Sequence, residues 1–162
     1  MIRFDHTVEI GRPVQDLFAY LADFTNIPSW NYYVQQVHKL TPGPVAVGTI
    51  YDQVRRTDRQ RFRVSALEAP RTIAATTLPG ERPKFHRQFT LEPTAGGGTL
   101  VHDRWELDTG HPDLLQRLAA PKIRSGVAAN LAVLKELLEH RRARLPDGRV
   151  VQLEDHRPNG SW

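Results

Sequence analysis

The chain contains no cysteine among its 162 residues. This absence excludes disulfide bonds, zinc sites built on thiolates and cysteine nucleophiles, so packing alone must stabilise the fold. No segment approaches the run of about 20 apolar residues that a membrane-spanning helix requires. The opening segment MIRFDHTVEI lacks the basic head and apolar middle of a secretory signal. We therefore expect a cytoplasmic protein that does not insert into membranes.

The sequence also lacks the common motifs for catalysis and cofactor binding. Its seven histidines show no HxH or HExxH spacing, and its serines lie in no GxSxG setting. The run 96–98 of three glycines joins two predicted strands, so we interpret it as a turn and not as a phosphate-binding loop. We expect no metal and no cofactor, and no motif identifies a catalytic residue.

What is present is ordinary for one globular domain: 40% hydrophobic and 25% charged residues. The net charge of +4 arises mostly from two arginine clusters. We interpret them as a solvated hairpin tip and a helix end whose dipole favours cations. The alternative is that they attract phosphates, an acidic protein or nucleic acid. The clusters are Arg55, Arg56, Arg59, Arg61 and Arg63, and Arg141, Arg142 and Arg144.

Hydrophobic periodicity predicts the secondary structure. Alternation over 2–10 predicts a strand, and helical spacing over 13–22 predicts a short helix, followed by one or two helical turns near 25–30. A long helix is predicted over 112–142, with a kink or a break at Pro121. Six further strands, separated by turn sequences, are predicted over 32–40, 46–55, 60–68, 72–78, 84–92 and 98–108.

These elements indicate the α+β class. Strands joined by short turns favour an antiparallel meander, because parallel crossovers need a dozen or more residues each. A curved sheet wrapped around the last helix tends to leave a hollow in which a ligand can bind. We predict one domain over 1–144 and a C-terminal extension over 145–162, partly disordered or held by a partner chain, with a poorly ordered polar tail at 154–162.

Several short motifs, in their shared order, resemble the START-like helix-grip architecture and its polyketide cyclase/dehydrase and lipid-transport (SRPBCC) branch. The resemblance covers about residues 3–140. It implies a seven-stranded antiparallel sheet that grips the C-terminal helix, with two short helices after the first strand and a cavity for apolar molecules. The motifs are VEI at 8–10, PVQDLF at 13–18, NIPSW at 26–30, VGT at 47–49, LEAPR at 67–71, FTLEP at 89–93 and GGTLV at 97–101.

Strand alternation predicts two charged residues inside this cavity. Asp103 shares a face with Val101 and Trp105, and Arg87 shares a face with Phe85 and Phe89. The two charges would lie on neighbouring strands, close enough to form a structural salt bridge or to bind opposite ends of a polar ligand. In a cyclase, Asp103 or Tyr51 would move protons while Arg87 polarised a carbonyl group.

The candidate ligand-binding residues combine this pair with rings from the strands and with one stripe of the long helix, whose apolar members are Leu114, Leu118, Ile123, Val127, Leu131, Leu134 and Leu138. Gly126 and Asn130 reduce the bulk of the helix where it should face the sheet. The alternative is that most of the rings simply fill the core. The full set is Trp30, Tyr33, Tyr51, Phe62, Phe85, Arg87, Phe89, Val101, Asp103, Trp105, Leu118, Ile123, Val127 and Asn130.

Three functions are compatible with these observations. The first is binding of a small hydrophobic or aromatic molecule (lipid-, polyketide- or sterol-like) in the internal cavity. The second is a polyketide cyclase, aromatase or dehydratase that uses the same cavity, with the cluster Arg55–Arg63 as a docking site for an acidic carrier protein. The third is an interaction or nucleic-acid-binding module, which rests only on the basic clusters. The sequence lacks exposed aromatics interleaved with basic residues, so we expect no nucleic acid partner. A homodimer would cover an exposed strand edge.

Overall fold

The fold is described here from a computed structural model, which defines residues 1–153. The polar tail 154–162, predicted to be poorly ordered, lies outside the described residues. The helices are α1 (Val14–Ala22), a 3-10 helix (Phe24–Ser29) and α2 (Asp113–His140). The strands are β1 (Ile2–Ile10), β2 (Val34–Lys39), β3 (Ile50–Arg55), β4 (Arg59–Glu68), β5 (Thr72–Thr77), β6 (Lys84–Pro93), β7 (Thr99–Asp108), β8 (Arg142–Arg144) and β9 (Val150–Gln152).

The first seven strands form one antiparallel sheet in the order β1-β7-β6-β5-β4-β3-β2. β2 to β7 are therefore a meander, and β1 returns beside β7 to become one edge while β2 forms the other. The predicted α+β class and the predicted seven-stranded antiparallel sheet are confirmed. Neither described α-helix has the length and apolar character needed to cross a membrane, and the cytoplasmic location stays a prediction.

The long helix differs from the prediction in its end and in two residues of its stripe. It ends at His140 rather than 142, and of the predicted kink or break at Pro121 the break is absent. Leu114 and Leu118 are 67% and 71% exposed, so neither belongs to the buried stripe. At about 100° per residue, Leu118 points away from Val127, which lies nine residues further on, whereas Gln116 and Ala120 fall within about 20° of it. These last two are the buried residues of the first turns.

The chain after α2 turns back in a short hairpin instead of extending the helix. Arg141 adopts the left-handed conformation that ends α2, with φ of 61°, and β8 then pairs with β9. Ala143 and Leu145 are buried, and Ala143 belongs to the main core. The second arginine cluster thus lies at the end of α2 and on this hairpin, which spans the predicted boundary between 144 and 145.

The inner face of the sheet is packed solidly at one end. Leu91 and Val101 are fully buried there. They belong to one hydrophobic cluster with Leu17 and Leu21 of α1 and with Leu131, Leu134 and Leu138 of α2. Phe24, from the 3-10 helix, packs on Tyr51 and Phe62 with ring centroids 5.2 and 5.5 Å apart. The opposite end, near Phe85 and the middle of α2, is not filled, and the candidate site lies there.

Candidate functional site

A cavity of about 320 Å³ lies between the sheet and the middle of α2, where residues between Lys122 and Asn130 contribute to its wall. Its wall is mostly aromatic and aliphatic, with a minority of polar side chains. Exposed residues such as Tyr33, Thr57 and Lys122 belong to the wall, so the cavity opens to solvent. The predicted hollow between sheet and helix is therefore present. The lining residues used below are Trp30, Asn31, Tyr33, Gln53, Arg55, Arg56, Thr57, Gln60, Phe62, Ala75, Phe85, Arg87, Phe89, Trp105, Lys122, Ile123, Gly126, Val127 and Asn130.

Neighbouring rings make the apolar part of this wall continuous. The Phe85 ring centroid lies 5.9 Å from that of Phe62 and 5.8 Å from that of Trp105. Trp30 meets Phe89 edge to face at 6.3 Å. These separations are those at which aromatic pairs attract each other, so the rings are held in place by one another.

Arg87 and Asp103 form a buried ion pair beside these rings. In the β6–β7 register Asp103 lies opposite Phe89 and Arg87 lies opposite Trp105, so the two charges are diagonal neighbours on one face. Arg87 donates from Nε to Asp103 Oδ1 at 2.9 Å and from Nη2 to Oδ2 at 2.7 Å. Trp105 Nε1 also donates to Oδ2, at 3.1 Å. The predicted face assignment and pairing are confirmed.

Three rings surround the guanidinium group of Arg87. Its Cζ lies 4.4 Å from the ring centroids of Phe89 and Trp105, and 5.2 Å from that of Trp30. A guanidinium within about 6 Å of a ring face is attracted to it. Arg87 therefore contributes to the wall as a fixed planar group. Its third nitrogen, Nη1, makes no hydrogen bond within residues 1–153.

A second group of polar residues lies on β3 and β4. Gln53 and Gln60 are direct cross-strand partners, are 6% and 1% exposed, and both line the cavity. On α2, Asn130 accepts a hydrogen bond from the backbone N–H of Tyr32 at 3.3 Å. The wall thus has a polar region separate from Arg87.

The rim of the cavity is cationic. Arg55 makes two hydrogen bonds to Asp58, at 2.8 and 2.9 Å. Arg56 lies over the Tyr32 ring with Cζ 3.9 Å from the centroid, and it also contacts Asp147 at 3.4 Å. Lys122 makes no ion pair within the described part of the chain. No aspartate or glutamate is among the cavity-lining residues, so the rim favours negative over positive ligands.

Gly126 makes room for a ring at the entrance. A methyl group at this position would lie 3.2 Å from Cε2 of Tyr33 and 3.3 Å from its hydroxyl oxygen. Tyr33 is 46% exposed, so its ring covers the helix while one side faces solvent. The glycine thus allows the tyrosine ring to pack against α2 at the entrance. Gly126 was predicted to reduce the bulk of the helix, and the space that it leaves is occupied by this ring.

Ten of the fourteen predicted ligand-binding residues line the cavity, and four do not. Leu118 lies on the outer face of α2. Val101 faces inward at the packed end of the sheet, Tyr51 faces inward but is covered by Phe24, and Asp103 lies behind Arg87. Alternation identifies the face of a strand, but not which part of that face another helix covers. The ten are Trp30, Tyr33, Phe62, Phe85, Arg87, Phe89, Trp105, Ile123, Val127 and Asn130.

Gln53 and Gln60 line the cavity but were not among the residues predicted from the sequence. The alternation of side chains along each strand places both on the inner face, because Gln60 shares a face with Phe62 and Gln53 shares one with Tyr51. The polar sequence around them, with Arg59 and Arg61, instead indicated a solvent-exposed hairpin.

Tyr51, the predicted proton donor, is a poor acid in this structure. Burial, followed by the negative charge of Asp23, raises the pKa of Tyr51 to about 12. Its ring is stacked on Phe62 with centroids 5.3 Å apart, outside the cavity wall. Within residues 1–153, no group of three or more histidine, aspartate or glutamate side chains is placed to hold a metal ion.

Comparisons with known proteins identify the fold as a whole. The family model for polyketide cyclase / dehydrase and lipid transport matches residues 1–139, whereas no curated protein sequence matches the chain. A protein from Deinococcus radiodurans is similar with a TM-score of 0.64 and 19% identity, over 86% of this chain and 98% of that one. A START superfamily protein from Mycobacterium smegmatis gives 0.67 and 17%, over 84% and 98%. A protein from Thermus thermophilus gives 0.68 and 15%, over 83% and 95%. These structural matches confirm the predicted helix-grip fold.

Proposed function

The chain belongs to the polyketide cyclase/dehydrase and lipid transport family, and we propose that it binds a small hydrophobic or aromatic molecule in the cavity between the sheet and α2. The proposal rests on one observation, an aromatic-walled cavity of about 320 Å³. This volume lies at the lower end of the range of about 300–1,000 Å³ that is typical of small-molecule sites. A lipid-, polyketide- or sterol-like ligand fits the apolar wall.

The physical basis of binding is the removal of apolar surface from water. Each 100 Å² of apolar surface that the ligand buries contributes roughly 2.5 kcal/mol before the costs of association. The wall loses little conformational freedom on binding, because its rings pack on one another and Arg87 is held by Asp103. Such a preorganised wall keeps the ordering cost of binding low.

The test is a titration with the uncharged fluorescent probe N-phenyl-1-naphthylamine. We expect saturable binding at one site. Ala75 is buried and lines the cavity, so Ala75→Leu should occupy part of the volume and weaken binding about tenfold or more. The matched control is Ala129→Leu, since Ala129 is exposed on the outer side of α2. Native mass spectrometry of protein purified from its own host should show a co-purified small molecule.

Two results would contradict the proposal. One is the absence of saturable probe binding to the unmodified protein. The other is equal weakening of binding by Ala75→Leu and Ala129→Leu in variants that unfold at similar temperatures, because binding would then occur away from the cavity.

A second candidate is a cyclase, aromatase or dehydratase acting in the same cavity. The position of Arg87 in the wall favours it, because a guanidinium can polarise a substrate carbonyl. Asp103 and Tyr51, which the sequence suggested as proton carriers, are not in the wall, so any proton transfer would use other groups. Incubation with a poly-β-ketone thioester and analysis of the products by mass spectrometry tests this candidate, and recovery of only spontaneously cyclised products would exclude it.

Two partner predictions belong to these proposals. For the cyclase candidate, an acidic carrier protein would dock on the exposed Arg61 and Arg63 of β4, whereas Arg59 is bonded to Asp52. Reversal of both charges should then slow turnover of carrier-bound substrate but not of the free thioester. A homodimer would pair the exposed edges of β1 or β2, and sedimentation analysis over a range of concentrations tests it.

A further inference from the structure

A buried amide with no partner lies in the wall of the cavity. The side chain of Gln60 is 1% exposed, and within residues 1–153 neither its Nε2 nor its Oε1 has a hydrogen-bond partner. Arg59 and Arg61, its neighbours on β4, are exposed, whereas Gln60 shares the inner face with Phe62 and lines the cavity. The side chain of Gln60 therefore lies on the cavity side of β4 and not on the solvated surface.

An unpaired amide in such a place is unfavourable for the folded protein. Folded proteins pair the large majority of their buried polar side-chain atoms, and each exception calls for an explanation. Leucine or methionine at position 60 would fill the same space without leaving a donor and an acceptor unpaired. Gln53 lies directly opposite, so the polar character continues onto β3.

We propose that Gln60, with Gln53 beside it, is a subsite for a ligand group that carries a hydrogen-bond donor and an acceptor side by side, such as a primary carboxamide or a protonated carboxylic acid. Such a group can pair with one amide through two hydrogen bonds, one to Oε1 and one from Nε2. This inference rests on the proposed binding function and specifies the ligand: an apolar body with one such polar end.

The subsite is distinct from Arg87. Arg87 on β6 lies opposite Ala75 on β5, and Ala75 lies opposite Val64 on β4. Gln60 is therefore two strands away from Arg87, and along β4 it is four residues from Val64. With about 3.3 Å per residue and about 4.8 Å between strands, the Cα atoms of Gln60 and Arg87 are roughly 16 Å apart along the sheet. The rings of Phe62 and Phe85 are also in the wall, so the apolar body of the ligand would lie against them while its polar end reaches Gln60.

The experiment compares two probes of nearly equal shape. 2-Naphthamide carries the proposed end group, whereas 2-isopropenylnaphthalene replaces it with apolar atoms. Their dissociation constants are measured by displacement of N-phenyl-1-naphthylamine from the unmodified protein, from Gln60→Met and from Gln60→Asn. The control is Gln88→Met, because Gln88 lies on β6 opposite the exposed Arg104, on the other face of the sheet.

We expect Gln60→Met to reduce the preference for 2-naphthamide over 2-isopropenylnaphthalene about tenfold or more, because the variant removes both partners of the end group. Gln60→Asn, which withdraws the amide by one methylene group, should reduce it in the same direction. Gln88→Met should leave the ratio unchanged. Gln60→Met should also raise the melting temperature of the ligand-free protein, because no unpaired amide remains.

An unchanged preference for 2-naphthamide over 2-isopropenylnaphthalene in both Gln60 variants would overturn the subsite. The same result would be obtained if ordered water paired with the amide of Gln60 equally well beside either probe, and it would overturn the subsite in that case too. Binding of 2-isopropenylnaphthalene would then still support the proposed function. Failure of 2-naphthamide to displace bound N-phenyl-1-naphthylamine from the unmodified protein would also overturn the subsite. Absence of saturable N-phenyl-1-naphthylamine binding would instead contradict the binding function itself.

Discussion

The Arg87–Asp103 pair gives the sharpest test of the packing around the cavity. Asp103 is fully buried and Arg87 is 9% exposed, and the two are joined by hydrogen bonds of 2.9 and 2.7 Å. In Asp103→Asn the side chain keeps its shape but loses its charge, so the guanidinium is left buried without a counter-ion. Removal of one partner from a buried pair typically costs about 3–5 kcal/mol of folding free energy. We expect a loss in that range.

The assay is urea unfolding at neutral pH, followed by tryptophan fluorescence. The control is Asp16→Asn, which breaks the pair between Arg12 and Asp16 at 2.9 Å. Its side chains are 38% and 50% exposed, and pairs in contact with solvent contribute about 0–1 kcal/mol. Replacement of the buried pair by Arg87→Met with Asp103→Leu should recover most of the loss, because no charge then remains buried.

The double replacement will not be entirely neutral. Trp105 Nε1 donates to Asp103 at 3.1 Å, and it would lose this acceptor at a cost of about 1–3 kcal/mol if no water replaces it. A loss below about 1 kcal/mol for Asp103→Asn, equal to that of Asp16→Asn, would refute the reasoning. It would mean that water in the cavity solvates Arg87 as well as bulk solvent does.

Three further predictions concern stability. Gly98→Ala should destabilise the fold by about 1–3 kcal/mol in urea unfolding, because the added methyl would lie 2.9 Å from a backbone oxygen, whereas Gly96→Ala, with open space around it, should cost much less. The pKa of Tyr51 is raised to about 12 in the folded state, so the unfolded chain loses the phenol proton first and the free energy of unfolding falls as the pH rises from 10 to 12. Tyr51→Phe removes this proton and should therefore reduce that fall. A hydrogen bond from Lys135 lowers the pKa of Glu139 in the folded state, so the ionised carboxylate stabilises the fold above about pH 4.5, and this stabilisation is lost when the carboxylate is protonated at lower pH. Glu139→Gln should therefore make the free energy of unfolding fall less steeply as the pH falls through and below about 4.5.

Much of the fold could be predicted because the signals are local. Alternation over 2–10 and over 84–108 identifies strands and their faces, and short turns then fix which strands are neighbours. The diagonal contact between Arg87 and Asp103 follows from those two facts alone, since β6 and β7 form one hairpin. The same reasoning placed the rings of Phe85 and Trp105 on the inner face, where the structure has them.

The remainder could not be predicted because it depends on what covers each part of the sheet. Tyr51 and Phe62 share the inner face, but Phe24 packs on both, and only Phe62 lines the cavity. The assignment of Leu118 failed for a different reason. The apolar stripe contains a step of five residues between Leu118 and Ile123, and such a step turns the side chain by about 140°, so the stripe does not continue through it.

The two halves of α2 explain why a cavity persists at one end of the sheet. In the C-terminal half, Leu131, Leu134 and Leu138 pack into the core and set the distance between helix and sheet. Nearer the N-terminus, α2 presents Ile123, Gly126 and Val127 to the cavity, while Leu118 points to solvent. Because the helix is continuous through Pro121, this segment is held at the distance that the leucines set, and Gly126 has no side chain that could fill the gap. The volume left is therefore a consequence of helix geometry and side-chain size, and movement of the helix onto the sheet would have to displace the leucines of the core.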